Sequence, residues 1–475
     1  DKDVMLEAME LEAERGNTAA VQEYDMLYRE RFGVSKEYWL RMADIYALGN
    51  NSVAAAAALK EATRLAPQDA ALFYRLAQSY STDKEAADAA DAIEHAVALD
   101  PKNLEYLRTR ADIASWRSDY AIALDSYQRI LAIAPADPGA RLGIARVHYW
   151  RGQLSESERA YRDYLAQQPG VAAPWMEYIV VVTELGDYAR AMNLLEDYRK
   201  RFGDNVAYRK QKARVLAWAE RPTASLDLVG ELEPELRDDY ELGYTRTVAL
   251  HYAHRPREAL ASLADVAVLR PDSKEVLDLT RFVYTPLRSN ATAGLGYTSD
   301  SDDVSIRHAG LTGEYVINPE TRLFGGADRQ WIHADSGSRY EKPDGGTSIG
   351  YNRAWLGIQH RTSPKLSLDA QIGGGTAEGD GRFIYEVGAD IQLADALAMR
   401  LSHHQDLYAV SPRAAKLGIE RRASTLDANW TPDLRWTVAS RFAYDTFSDG
   451  NDRWEVELAP RRAFMRTQRL NLDLG

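Results

Sequence analysis

The sequence predicts an α + β multidomain chain, with paired helices over residues 1–284 and antiparallel strands over residues 285–475. Two observations lead there. The segments ATRLAP, AVALDP, ILAIAP and YLAQQP end at Pro67, Pro101, Pro135 and Pro169, each 34 residues after the last. Past Tyr284–Asn290 the apolar period changes from 3.6 to 2, as in YEVGADIQL, where Tyr385, Val387, Ala389, Ile391 and Leu393 alternate with Glu386, Gly388, Asp390 and Gln392.

In the first part a second column strengthens the repeat. Ala55, Ala89, Ala123, Ser157, Ala191, Ser225 and Ala259 are all small and 34 apart. Each unit reads as two amphipathic helices, for example PGARLGIARVHYWRG followed by QLSESERAYRDYLAQQP, with a turn at Gly152 and a stop at Pro169. Small residues are needed where helices cross closely, and proline pushes the residue before it out of the α region. Small residues at the eighth place (Ala43, Ala77, Ala111, Ala145, Ala213), at the twentieth, and proline at the thirty-second resemble the tetratricopeptide repeat. The resemblance spans about eight repeats, residues 2 to 275. It implies an α-solenoid whose first helices line a concave groove. At the thirteenth place of four repeats stand Trp116, Trp150, Trp218 and Tyr252, with Arg108, Arg146 and Arg214 expected in the same groove. These aromatics either stack on sugar rings or partner side chains, or fill gaps between neighbouring repeats; the arginines either bind or are solvated.

The second part reads as about eleven strands separated by turn signals such as NPET, KPDGG, EGDG and SDGND. Among them are expected strands at Lys416–Trp430 and Arg469–Leu474. Two architectures bury one apolar face per strand: a soluble sandwich and a transmembrane barrel with a wet lumen. Strand lengths near ten residues favour the barrel. So do Trp331, Trp355, Trp430, Trp436 and Trp454 near strand ends, which suit an interfacial girdle, and Gly373, Gly374 and Gly375 in mid-strand. The stop at LNLDLG after an odd strand count leads us to expect a barrel truncated at its C-terminus.

The net charge of −13 argues against nucleic acid as a partner. There is no cysteine, hence no disulfide framework and no thiolate metal site. The opening DKDVML, without initiator Met or signal peptide, points to a processed chain or a fragment. No run of 18 apolar residues is present, which excludes a membrane-crossing helix but not a barrel. His403 and His404 are adjacent in a strand and so point to opposite faces. SDSDD lacks the glycine and distal glutamate of a calcium loop, and NAT at Asn290 is a bare sequon. No phosphate loop, nucleophile elbow or HExxH occurs, so we expect a non-enzyme without cofactor or metal.

A tetratricopeptide solenoid running into such strands is similar to the outer-membrane exopolysaccharide export porins, the Pel, poly-N-acetylglucosamine and cellulose exporters. The resemblance implies an outer-membrane pore with the repeats in the periplasm. Its partners would be the exopolysaccharide, periplasmic modifying enzymes (deacetylase or hydrolase) docked on the repeats and outer-membrane lipid, with an outer-membrane lipoprotein as a further candidate. The acidic balance suits a partly deacetylated, cationic polymer of the Pel or poly-N-acetylglucosamine type. On this reading Asp369, Glu386, Asp390, Asp427, Glu455 and Glu457 line the lumen and either offer successive weak contacts to the moving chain, or only solvate a water-filled wall or pair with Arg400 and Arg441. Alternatives from other classes are a surface-protein translocation or phage-receptor barrel, and a soluble repeat adaptor carrying a β-sandwich.

Overall fold

The computed structural model describes residues 1–80, 86–301, 304–466 and 471–474. They form two compact units, Asp1–Pro174 and Trp175–Gly475. The first holds α1 (Lys2–Glu14), α2 (Thr18–Phe32), α3 (Lys36–Leu48), α4 (Ser52–Leu65), α5 (Ala70–Ser79), α6 (Ala86–Leu99), α7 (Leu104–Trp116), α8 (Tyr120–Ile133), α9 (Pro138–Trp150) and α10 (Leu154–Gln167). The division falls within α11 (Ala172–Glu184). After it come α12 (Tyr188–Phe202), α13 (Val206–Trp218), α14 (Pro222–Leu232), α15 (Tyr240–Tyr252), α16 (Pro256–Leu269) and α17 (Lys274–Tyr284). Helix gives way to strand where the hydrophobic period changes, through a short turn at Thr285–Leu287 into a strand at Asn290.

Three columns with a step of 34 explain the helices. The small column is buried throughout, from Ala55 at 5% exposure to Ala123, Ser157, Ala191 and Ser225 at 0%. Ser157 Oγ donates to Ala145 O at 2.9 Å and Ser225 Oγ to Ala213 O at 2.8 Å, so the serines tie the second helix of a pair to the first. A second column caps the first helices: the side chains of Ser35, Asn103, Asp137, Asn205, Asp239 and Ser273 accept from backbone N–H groups of the turn that follows. The third column is left-handed backbone just past those helices. It runs through Gly16, Asn50, Ser118, Gly152, Gly186, Glu220 and His254, with φ between 52° and 76°.

Two stability predictions follow from these columns. Replacing Ala123 by Leu inserts a side chain where nothing is exposed, and should cost about 1–3 kcal/mol by overpacking. An unchanged thermal midpoint by circular dichroism would refute the helix crossing. A Cβ at Gly152 would meet no atom within 4 Å, so Gly152→Ala isolates the backbone term. With φ at 71° it should destabilise by about 1 kcal/mol, and Gly152→Asn by less.

The strands are β1 (Asn290–Ser299), β2 (Val304–Asn318), β3 (Thr321–Ala334), β4 (Ser348–Ser363), β5 (Leu366–Ala377), β6 (Asp380–Ala394), β7 (Leu397–Leu407), β8 (Glu420–Trp430), β9 (Trp436–Phe447), β10 (Asp452–Arg466) and β11 (Asn471–Leu474). They form one 11-stranded sheet in sequential order, and each is antiparallel to the next. Among the described residues β1 and β11 are its two edges. The register sorts side chains onto two faces. Leu295, Leu311, Leu356, Leu368, Ile372, Phe383, Val387, Leu401, Val456 and Leu458 share one and are exposed, Leu295 by 87%. Charged groups, glycines and small residues occupy the other, where Ser367, Ala423, Ala443 and Asp445 are buried.

Three expectations are corrected or bounded here. The span Lys416–Trp430 is not one strand: a short helix, α18 (Pro412–Lys416), precedes β8, because Ser411 and Pro412 form a helix start with Ser411 Oγ capping Ala414 N. Trp355 does not join the apolar face. It lies opposite Gly373 on the polar one, with Arg353 5.4 Å from its ring, and a Cβ at residue 373 would collide with it. Of the expected strand Arg469–Leu474, Arg469 and Leu470 lie outside the described residues.

Candidate functional site

On the polar face β5, β6 and β7 bring three of the expected carboxylates to one cation. Arg400 Nη1 reaches Asp369 at 2.9 Å and Asp390 at 3.1 Å, while Nη2 stands 3.4 Å from Glu386. Gln371 Nε2 donates to the remaining Glu386 oxygen at 3.0 Å. Gly388 leaves the room: a Cβ there would lie 2.6 Å from Asp369 Oδ1 and 2.7 Å from Arg400 Nη2. Asp427 pairs loosely with Arg441 at 3.8 Å, Glu455 with Arg453 at 3.4 Å, and Glu457 lies opposite Arg441 in the register. The carboxylates are therefore matched by arginines on the same face rather than forming an unbalanced acidic track.

A second hub sits further along. Arg353 spans Asp328 at 2.7 Å and Asp406 at 2.8 Å, and the Tyr351 hydroxyl donates to Asp406. Tyr351, Arg353 and Asp406, with Trp355, His404 and Arg421, line a cavity of 610 Å³. His404 belongs to this face and contacts Arg421 at 2.8 Å, whereas His403 turns the other way, to Tyr385 and Ser424.

The two ends of the sheet differ. On the end away from the helices the loops at 335–347 and 408–419 are long. Their Tyr340, Ala409 and Ala415 pack with Val304, Ile332, Ile349, Tyr351 and Ala377 into an apolar cluster at the strand ends. Lys342 and Lys416, one from each loop, both bind Glu378 in the β5–β6 turn, at 2.7 and 2.6 Å. Hydrogen bonds from the two ammonium groups lower the Glu378 carboxyl from 4.5 to about 2. A carboxyl lowered on folding contributes fully above its unfolded pKa, and the contribution is lost as pH falls through the folded one. The clasp should therefore hold at neutral pH and weaken from about pH 4 toward about pH 2. Hydrogen exchange over the two loops, corrected for intrinsic pH dependence, would show it, and Glu378→Gln should loosen them already at pH 7.

On the helical end the turns at 319–320, 364–365 and 395–396 are short, and the last repeats grip the sheet there. Arg221 Nη2 donates to Thr431 O at 2.8 Å and to its Oγ1 at 2.9 Å. Thr223 donates to Asp395 through its N–H at 2.8 Å and its hydroxyl at 2.7 Å. Arg257 binds Glu320 with both arms at 2.7 and 2.9 Å. Thr223 and Arg257 are 34 apart, so consecutive repeats use the same position to hold different turns. Sequence reasoning overlooked this contact, although the shared phase was visible.

The groove candidates separate by unit. Trp116 and Trp150 end α7 and α9 in the first unit and are exposed. Trp218 and Tyr252 end α13 and α15 in the second and pack on Phe282, at 5.5 and 5.6 Å between ring centres. Burial, with the Glu220 carboxylate nearby, pushes the Tyr252 phenol up to about 12, so it is neutral at pH 7. Arg108 is not a free groove cation: it binds Asp137, the cap of α9, at 2.7 Å, and Lys210 repeats the contact with Asp239 at 3.0 Å. Arg214 faces Glu184 at 3.6 Å. Arg146 lies near enough to Asp112 to favour its charged form, although burial dominates and raises that carboxyl.

Residues 117–176 match the tetratricopeptide repeat family. No curated protein matches the chain. Among solved structures, a tetratricopeptide repeat protein from Parabacteroides merdae is 14% identical, covering 52% of this chain and 98% of its own, with a TM-score of 0.46. PilW, described as a widely conserved type IV pilus biogenesis factor, is 18% identical over 44% of this chain and 96% of its own, with a TM-score of 0.37. PilF of Pseudomonas aeruginosa is 15% identical over 44% and 94%, with a TM-score of 0.35. Residues 117–176 are thus of tetratricopeptide type, helix pairs continue on both sides of them, and an antiparallel sheet follows. No helix among the described residues is long and apolar enough to cross a membrane.

Proposed function

We propose that this chain belongs to a bacterial outer-membrane exporter of an exopolysaccharide, in which the sheet is barrel wall and the repeats are a periplasmic scaffold. The single observation that carries the reading is the sheet's two-faced register. One face is an exposed apolar band across all the long strands, and the other is a mosaic of ion pairs. Water does not tolerate an apolar surface of that extent, whereas a bilayer requires it. The two longest connections, 335–347 and 408–419, lie at the end away from the helices, and three two-residue turns lie at the helical end, which fits the same orientation.

The cargo is a neutral to cationic hexosamine polymer. Paired charges offer hydroxyl and amine groups many weak contacts without one tight trap, which conduction needs. Trp116 and Trp150 lie on the exposed surface of the repeats, where modifying enzymes such as a deacetylase or hydrolase dock. The chain performs no catalysis itself.

Membrane fractionation of the full-length protein, with heat-modifiable gel mobility and planar-bilayer conductance, tests this. An outer-membrane, heat-modifiable pore blocked by soluble amino-sugar polymer is expected. A protein extracted without detergent and unshifted by heating would overturn it. A pore indifferent to polymer would move the cargo to protein, as in surface-protein translocation.

A further inference from the structure

Between the last repeats and the sheet lies a cavity of 410 Å³ lined by Tyr188, Trp218 and Tyr252 together with Asp187, Glu220 and Arg435. A neighbouring cavity of 260 Å³ shares Tyr188, Glu220 and Arg435 and runs on to Asn429, Thr437 and Arg461 of the sheet's polar face. The volume is that of a small-ligand pocket, and aromatic walls with a few polar groups are what such pockets use. Phe282 fixes the Trp218 and Tyr252 rings from behind, so their geometry is set without a ligand. Glu220 stands at the left-handed column position, with φ at 56°, that Asn50, Ser118 and His254 also fill with side chains, and this puts its carboxylate in the lining of both cavities.

We propose that this cavity is a saccharide subsite that takes a short segment of amino-sugar chain at the entrance to the sheet's polar face. The inference rests on the export reading and deepens it by naming the subsite and the sugar class. Trp218 and Tyr252 supply ring faces for pyranose C–H groups, and Glu220 and Asp187 supply acceptors for an ammonium or hydroxyl. Arg435 supplies donors for ring substituent oxygens. The adjoining cavity then gives the segment a path to Arg461 and Thr437.

The test uses the full-length protein in detergent, titrated with the β-1,4-linked tetramers of glucosamine and N-acetylglucosamine, and with tetragalacturonate as an anionic comparison. Tryptophan fluorescence and calorimetry should report both amino-sugar tetramers binding, glucosamine more tightly. Trp218→Ala and Tyr252→Ala should each weaken binding at least about tenfold, which is about 1.4 kcal/mol. Trp218→Phe should retain most of it, which separates lost contact from misfolding. Glu220→Gln should remove the preference for glucosamine. Equal affinity in wild type and Trp218→Ala, or a preference for tetragalacturonate, would overturn the subsite. A wild type that conducts ions but binds no tetramer ends this inference and leaves the pore reading standing. A wild type that binds through Trp218 but forms no pore does the reverse.

Discussion

Val387→Arg is expected to abolish assembly of the sheet in a bilayer while leaving the helical repeats folded. Val387 lies midway along β6, on the apolar face, with 48% of its surface exposed. In water, an arginine there would be harmless or would improve solubility. At a bilayer midplane the same residue costs about 2–4 kcal/mol, and a long side chain in the middle of a strand cannot easily reach an interface. The two environments thus give opposite signs. Heat-modifiable mobility should be lost in Val387→Arg and retained in Val387→Leu, with far-ultraviolet circular dichroism reporting unchanged helix. Normal assembly of the arginine variant would show that this face meets something other than lipid. The nearest alternative is the apolar interior of a sandwich in a soluble adaptor.

The helical repeat and its fold type were legible because they are written in columns. Period 34 in proline and small residues gave the helix pairs, and burial of Ala123, Ser157 and Ser225 follows from the close crossing alone. The capping and left-handed columns carry the same period. They escaped notice because Ser, Asn and Asp replace one another at a cap, and because Ser118, Glu220 and His254 stand where glycine would have advertised the turn. In the sheet, alternation placed Glu386 and Asp390 on the polar face correctly, since the period of a strand is local. Arg400 and Arg441 were legible as alternative partners of these carboxylates, and both do pair with them, but which carboxylates share one arginine was not legible. Asp369, Glu386, Asp390 and Arg400 come from three strands, and their meeting depends on register between neighbours. Trp355 was misplaced for a related reason: β4 runs from Ser348 to Ser363, which puts Trp355 in mid-strand and not near an end, and its face is fixed by pairing with Gly373.

Arg400→Ala should be the most destabilising change on the polar face. The guanidinium serves three carboxylates, of which the Asp369 side chain is only 7% exposed. Removing it leaves Asp369 partly desolvated, with Asp390 and Glu386 repelling it at short range, and should cost about 3 kcal/mol. The loss measures uncompensated charge, not the value of a good contact. Arg400→Ala combined with Asp369→Ala should therefore recover much of what the single change loses, a positive coupling in a double-mutant cycle. Arg400→Lys should fall between, because one ammonium cannot reproduce the forked contacts to Asp369 and Asp390. Urea unfolding in micelles gives the energies. In a bilayer, loss of one cation from a balanced face should shift the reversal potential toward cation selectivity. A variant that unfolds earlier with no change in ion selectivity would place the cluster away from the conducting path. A variant with a shifted potential and intact stability would mean that water screens Asp369 more than its burial indicates. The cluster would then belong to the surface along which the polymer moves rather than to the structure that holds the wall together.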